Sequence, residues 1–213
     1  SFPSAVTLSG ACGETVLSGP LLVDDGELIF RDLVIDGPGP TLTVRGGHAQ
    51  LERGVIIPTA RDQTWAVVVE GGTLTASVAK VVDFLGGLRV DNGALDLHRV
   101  EVRTTGGDGI RIRQGQAALE DVALRAAPMP ESWGLIIEPP GAMVARRIVV
   151  EGYGRGGIHT EGPLELTDAV IRGSVGRVEE TGVGVSVYGT GRAVLHRVEA
   201  SGNTREGFLV SAG

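Results

Sequence analysis

Gly93-Ala94-Leu95-Asp96-Leu97-His98-Arg99-Val100-Glu101-Val102 carries the pattern from which the fold follows. Leu95 and Leu97 alternate with polar residues, so their side chains share one face of an extended strand. His98-Arg99 is a polar pair that interrupts the alternation, and Val100 and Val102 then resume it. The segment reads as two short strands meeting at a corner, with four apolar side chains turned inward. The same arrangement recurs in Leu28, Phe30, Leu33 and Ile35, in Ala117, Leu119, Val122 and Leu124, and in Leu164, Leu166, Ala169 and Ile171. It occurs again in Ala193, Leu195, Val198 and Ala200.

A glycine precedes each unit, at 26, 47, 72, 93, 115, 141, 162 and 191, giving intervals of 21, 25, 21, 22, 26, 21 and 29 residues. Later in each unit comes a third short alternation: Leu88 and Val90, Ile110 and Ile112, Leu135 and Ile137, Val185 and Val187, Phe208 and Val210. Three short strands of unequal length within 21 or 22 residues do not make the equal hairpins of an antiparallel sandwich. They make one turn of a coil. A single coil cannot bury its own apolar face, but a stack buries a continuous column. The expected fold is all-β, a right-handed single-stranded parallel β-helix of about eight coils, spanning roughly 38 Å at the strand spacing of about 4.8 Å. Leu21-Leu22-Val23-Asp24-Asp25-Gly26 matches Leu88-Arg89-Val90-Asp91-Asn92-Gly93, so residues 1–25 read as a partial first coil or cap and 26–213 as the coils proper. Phe208-Leu209-Val210 completes a strand and Ser211-Ala212-Gly213 follows without a capping helix. This predicts further coils beyond 213 or packing of that end against another molecule.

Composition agrees. The chain has 213 residues, 34 of them Gly, with 42% hydrophobic and only 4% aromatic residues. The glycines lack a collagen period and so mark turns. A net charge of −7, with Lys80 the only lysine and arginines dispersed among carboxylates, argues against nucleic acid as partner. No apolar stretch reaches the length of a membrane span. The single cysteine, Cys12, rules out an internal disulfide framework. Leu8-Ser9-Gly10-Ala11-Cys12 has the outline of a lipoprotein cleavage site, but no basic residue precedes it; the other reading is a small thiol capping the first coil.

The second residue of the polar corner runs Asp32, Arg53, Val78, Arg99, Asp121, Arg147, Asp168, Arg197. From Arg99 onward the sign alternates at every coil, and stacking predicts a ladder of opposite charges rather than a catalytic set.

The repeat and the opening Cys12-Gly13-Glu14-Thr15-Val16 resemble the pectin-lyase-like superfamily of parallel β-helices, nearest to NosD-like and surface β-helix repeat proteins. The resemblance covers essentially the whole chain. It implies the fold and a secreted, periplasmic or cell-surface setting more than an activity. In related domains such a cysteine often has a partner; here it has none.

Length varies at one corner. From the last inward residue of the second strand to the third strand the distance is 7 or 8 residues in five coils, but 11 from Ile56 to Val67, 11 from Leu124 to Leu135 and 14 from Ile171 to Val185. Loops that vary on one face commonly carry function. Two of these insertions, Arg61-Asp62-Gln63-Thr64-Trp65 and Pro128-Met129-Pro130-Glu131-Ser132-Trp133, end in the only two tryptophans, three coils apart. Between them the outward positions are Arg89 and Arg111, and the next coil adds His159; Asp108, Tyr153 and Arg155 lie in neighbouring turns. Trp65, Arg89, Asp108, Arg111, Trp133 and His159 are therefore the candidate ligand-binding residues. A polysaccharide would suit them, with aromatic faces on sugar rings and arginines on uronate or sulfate. Alternatively, each Trp folds its own loop down onto Val68 or Ile136.

A lyase or hydrolase of this fold would need clustered carboxylates, and the outward column Thr43, Val68, Arg89, Arg111, Ile136, His159, Ser186, Leu209 contains none. No catalytic residue and no cofactor is expected. His48, His98, His159 and His196 have no short-spaced pairing, and His98 and His196, which share a column, lie four coils apart, too far to share a zinc ion. Gly106-Gly107-Asp108-Gly109 and Gly154-Arg155-Gly156-Gly157 open no helix and read as tight turns rather than phosphate loops. The expectation is a binding or scaffold module; a polysaccharide lyase or hydrolase and a structural stalk are the alternatives.

Overall fold

A computed structural model describes residues 5–11, 15–59, 65–127, 131–176 and 181–211. The chain is an all-β solenoid of parallel coils, and no helix occurs among the described residues. The first strands of successive coils are Ala5–Ser9, Glu27–Arg31, His48–Glu52, Thr73–Ser77, Ala94–His98, Gln116–Glu120, Ala142–Arg146, Pro163–Arg172 and Arg192–Ser201. Each pairs in parallel with the next in unbroken register, as Leu74 with Leu95 and Leu95 with Ala117. The second strands run from Val16–Ser18 through Val34–Gly37, Val55–Pro58, Lys80–Phe84, Glu101–Thr104 and Ala123–Ala126 to Val149–Glu151. The long strand Pro163–Arg172 turns the corner without a break, so both columns join in one sheet of 16 strands. The third strands form a separate sheet of nine: Leu21–Val23, Leu42–Val44, Trp65–Val69, Gly86–Val90, Ile110–Ile112, Trp133–Ile137, Gly156–Thr160, Val183–Tyr188 and Phe208–Ser211.

The stack thus has about nine coils, one more than the units that begin at Gly26, because residues 5–23 also supply a first, second and third strand. The inward residues are those picked out by the alternation. Leu95, Leu97, Val100 and Val102 are at most 2% exposed, and they belong to one continuous core with Phe30, Ile35, Leu124 and Ile171. Burying such a side chain contributes about 1.5–3 kcal/mol, so one coil's four inward residues hold it to its neighbours.

The polar corner has a backbone cause. Asp32, Arg53, Val78, Arg99, Asp121, Arg147, Asp168 and Arg197 all lie at φ between 50 and 55°. One left-handed residue turns the chain, so that two outward residues can sit between inward ones. The expected charge ladder forms only in part. Arg53 grips Asp32 with Nε–Oδ1 at 2.6 Å and Nη2–Oδ2 at 2.7 Å. Arg147 grips Asp121, and Arg197 grips Asp168, in the same two-pronged way. Arg99 makes no ion pair with a described residue, because the position one coil before it is Val78. The alternation therefore gives separate Asp–Arg pairs, not a continuous ladder. Cys12 and the loop segments 60–64 and 128–130 lie outside the described residues, as do 212–213.

Candidate functional site: the face of the third-strand sheet

Register places the outward residues of this sheet in one file. Thr43 pairs with Val68, Val68 with Arg89, Arg89 with Arg111, Arg111 with Ile136, Ile136 with His159 and His159 with Ser186. A second file begins each strand: Trp65 pairs with Gly86, and Trp133 with Gly156. All six candidate residues are on this face.

Arg111 Nη2 donates to Asp108 Oδ2 at 2.8 Å, and Asp108 Oδ1 accepts the backbone N–H of Trp133 at 2.9 Å. Asp108 thereby ties its own coil to the start of the next. Arg89 contacts Asp91 at 2.8 Å. Two residues beyond each outward position the chain returns to the same side, which brings in groups that spacing arguments passed over. Arg113 lies 3.5 Å from Asp91 and 3.6 Å from Glu138, and Glu138 lies 3.4 Å from Arg111. The result is a chain of alternating sign, Arg89–Asp91–Arg113–Glu138–Arg111–Asp108. Each arginine on it already has a carboxylate. The acids come from the flanking positions, not from the outward file itself. Farther down, Arg45 lies between Asp24 at 3.8 Å and Glu70 at 3.1 Å.

The tryptophans differ. Trp133 is buried, 7% exposed. Its ring lies against the bare backbone of Gly156, where an added Cβ would fall 2.6 Å from Cε3. The Arg155 guanidinium sits 5.8 Å from its centroid and the His159 ring 5.0 Å away. Trp133 therefore packs onto the following coil. Trp65 is half-buried, with the Arg89 guanidinium 5.9 Å from its ring. His159 continues the aromatic run to Tyr188 at 6.0 Å, and Tyr188 is 46% exposed. His159 Nε2 also lies 3.2 Å from Glu161.

Tyr153 is no part of this surface. It is fully buried inside the coil, and burial pushes its phenol well above the ordinary range. Its hydroxyl comes so close to Gly109 that an added Cβ there would lie 2.5 Å away. The second glycine run is also not wholly a turn, since Gly156 and Gly157 open a strand. Glycines at this inward position let neighbouring coils approach: a Cβ on Gly134 would lie 2.5 Å from the Gly157 carbonyl, and one on Gly157 2.7 Å from that of Gly184. No group of three or more His, Cys, Asp or Glu among the described residues is arranged to hold a metal ion. Among the described residues no helix is long and apolar enough to cross a membrane.

Fold and face together define a parallel β-solenoid with a charge-paired, partly aromatic strip along one sheet. Compared with known proteins, the chain matches no family model, and no curated protein or solved structure resembles it significantly.

Proposed function

We propose that the chain is a secreted or cell-surface β-helix module of the pectin-lyase-like kind that binds carbohydrate along its third-strand sheet without cleaving it. The observation that carries this reading is the alternating chain from Arg89 to Asp108, flanked by the partly open ring of Trp65 and the exposed ring of Tyr188. Guanidinium groups donate and carboxylates accept, so the strip offers both partners that a sugar hydroxyl needs. Aromatic rings beside it suit the apolar faces of sugar rings. Because its arginines are already paired, the strip favours a neutral, hydroxyl-rich glycan over an acidic one.

The test is binding of the chain to neutral and acidic glycans at low and moderate salt. Binding to neutral glycans, weakened at least tenfold by Trp65→Ala, Arg111→Ala or Tyr188→Ala and little affected by salt, supports the reading. Binding restricted to acidic glycans and abolished by salt overturns the ligand class. No binding at all favours a scaffold or stalk, a reading supported by the burial of Trp133 between coils. Cleavage of a bound glycan would favour the lyase or hydrolase alternative.

A further inference from the structure

The opposite side of the stack follows a different rule. On the second-strand face Arg125 bridges Glu101 at 3.1 Å and Glu151 at 3.6 Å. On the first-strand face Asp96, Glu165 and Arg192 are exposed, and none makes an ion pair or hydrogen bond with a described residue. They border an open groove of about 680 Å³ that runs across the strands from Thr73–Ser77 to Arg192–Ser201. Its floor is small and apolar, chiefly Ala94, Ala118, Ala142 and Val144, and Val144 is 45% exposed.

Register fixes two files on this face. One runs Ala94, Gln116, Ala142, and continues from Pro163 to Arg192; the other runs Asp96, Ala118, Val144, Glu165, Val194. We propose that this face joins two copies of the chain, stacked face to face with their coil directions reversed, about a two-fold axis parallel to the strand Ala142–Arg146. That strand lies midway between Ala94–His98 and Arg192–Ser201. The operation sets Val144 against its own copy and brings Arg192 beside Asp96 of the second copy. It also sets Glu165 over the second copy's Ala118, diagonal to its Gln116, whose amide donates to the carboxylate. Asp96, Glu165 and Arg192 each gain a partner, and the alanines let the sheets close to about 10 Å. A two-fold parallel to the stack would instead oppose Asp96 to Asp96 and Glu165 to Glu165, so charge selects the reversed arrangement. Arg146 at the rim meets its own copy, a like-charge contact that Glu120, already held by Arg147, does not relieve and that further weakens the dimer. The contact covers about five coils by one strand, roughly 400 Å² per copy. That is half of a standard stable interface of about 800 Å² per partner, so the dimer is weak and concentration-dependent.

Sedimentation of the intact chain from about 5 to 500 µM, the range in which so small an interface dissociates, is expected to give a monomer–dimer equilibrium. Arg192→Asp and Asp96→Arg should each weaken the dimer at least tenfold, and the two together should restore it. In a Cys12→Ser background, Val144→Cys should be joined to its copy by a short bifunctional thiol reagent, since sheets about 10 Å apart hold the two Cα atoms beyond direct disulfide reach, whereas Arg125→Cys on the second-strand face should not. Asp96, Arg125, Val144 and Arg192 are exposed on the stack, and circular dichroism checks that each variant keeps the parent fold. A chain that stays monomeric throughout, a dimer indifferent to both charge reversals, or a Val144→Cys variant that does not cross-link would overturn the proposal.

Discussion

Arg147 reaches back one coil to take Asp121, with Nε–Oδ1 at 2.6 Å and Nη2–Oδ2 at 3.0 Å, and leaves Asp168 on the following coil to Arg197. Arg53 does the same to Asp32. All these residues share one left-handed backbone conformation, which leans their side chains the same way. Each Asp is therefore used once, by the Arg one coil later.

The gap in this scheme is Val78, half-exposed at φ 53° with nothing to offer Arg99. A β-branched residue is strained there, at a cost of about 1–2 kcal/mol. Val78→Gly is expected to raise stability by about 1 kcal/mol, read as a higher urea midpoint at unchanged slope. Val78→Asp should give Arg99 its missing acceptor, seen as an NMR-titrated carboxyl below the ordinary Asp range.

Asp32, Asp121 and Asp168 have lowered pKa values, chiefly through the hydrogen bonds from their arginines. The folded chain therefore holds these carboxylates ionised more readily than the unfolded chain. Their contribution is present above the unfolded value of about 3.9 and is lost as pH falls through the lower folded value. Urea midpoints measured from neutral pH to pH 2 should drop below about pH 4. Asp168→Asn should have a lower midpoint at neutral pH and a shallower acid limb.

Gly156→Ala drives a methyl into the Trp133 ring. Overpacking of this kind costs about 1–3 kcal/mol. Unfolding of the two single variants and of Gly156→Ala with Trp133→Ala should reveal coupling: the double variant loses less than the sum.

Tyr153→Ala, by emptying a fully buried ring, should cost about 3–5 kcal/mol. The raised phenol pKa means that the folded chain holds this proton more tightly than the unfolded one, so stability falls as pH rises past about 10. In a Tyr188→Phe background, which leaves Tyr153 as the only tyrosine, phenolate absorbance should appear together with alkaline unfolding and not before it.

Much of the fold was legible because a parallel stack repeats its burial pattern at every coil. Alternation alone marked Leu95, Leu97, Val100 and Val102 as inward, and the outward file from Thr43 to Ser186 pairs in the expected order. Residues 5–23 were harder to read, since their strands are less buried. The candidate face was legible as a location but not as chemistry. Asp91 sits two residues beyond Arg89, but Arg113 and Glu138 join this chain only once coils stack, because the contacts Asp91–Arg113, Arg113–Glu138 and Arg111–Glu138 link residues a full turn apart.

The sequence by itself determined the coil, its inward face and the corner where length varies, since these depend on local periodicity and on the burial that each coil requires. Only the tertiary structure decided which charges are paired, that Trp133 seals a seam against Gly156 while Trp65 stays partly open, and that Asp96, Glu165 and Arg192 stand unpartnered across an apolar floor. The physical reason is reach. A strand's period is fixed by neighbours two residues away, whereas a side chain's partner is fixed by which atoms of the adjacent coil lie within a few ångströms of it.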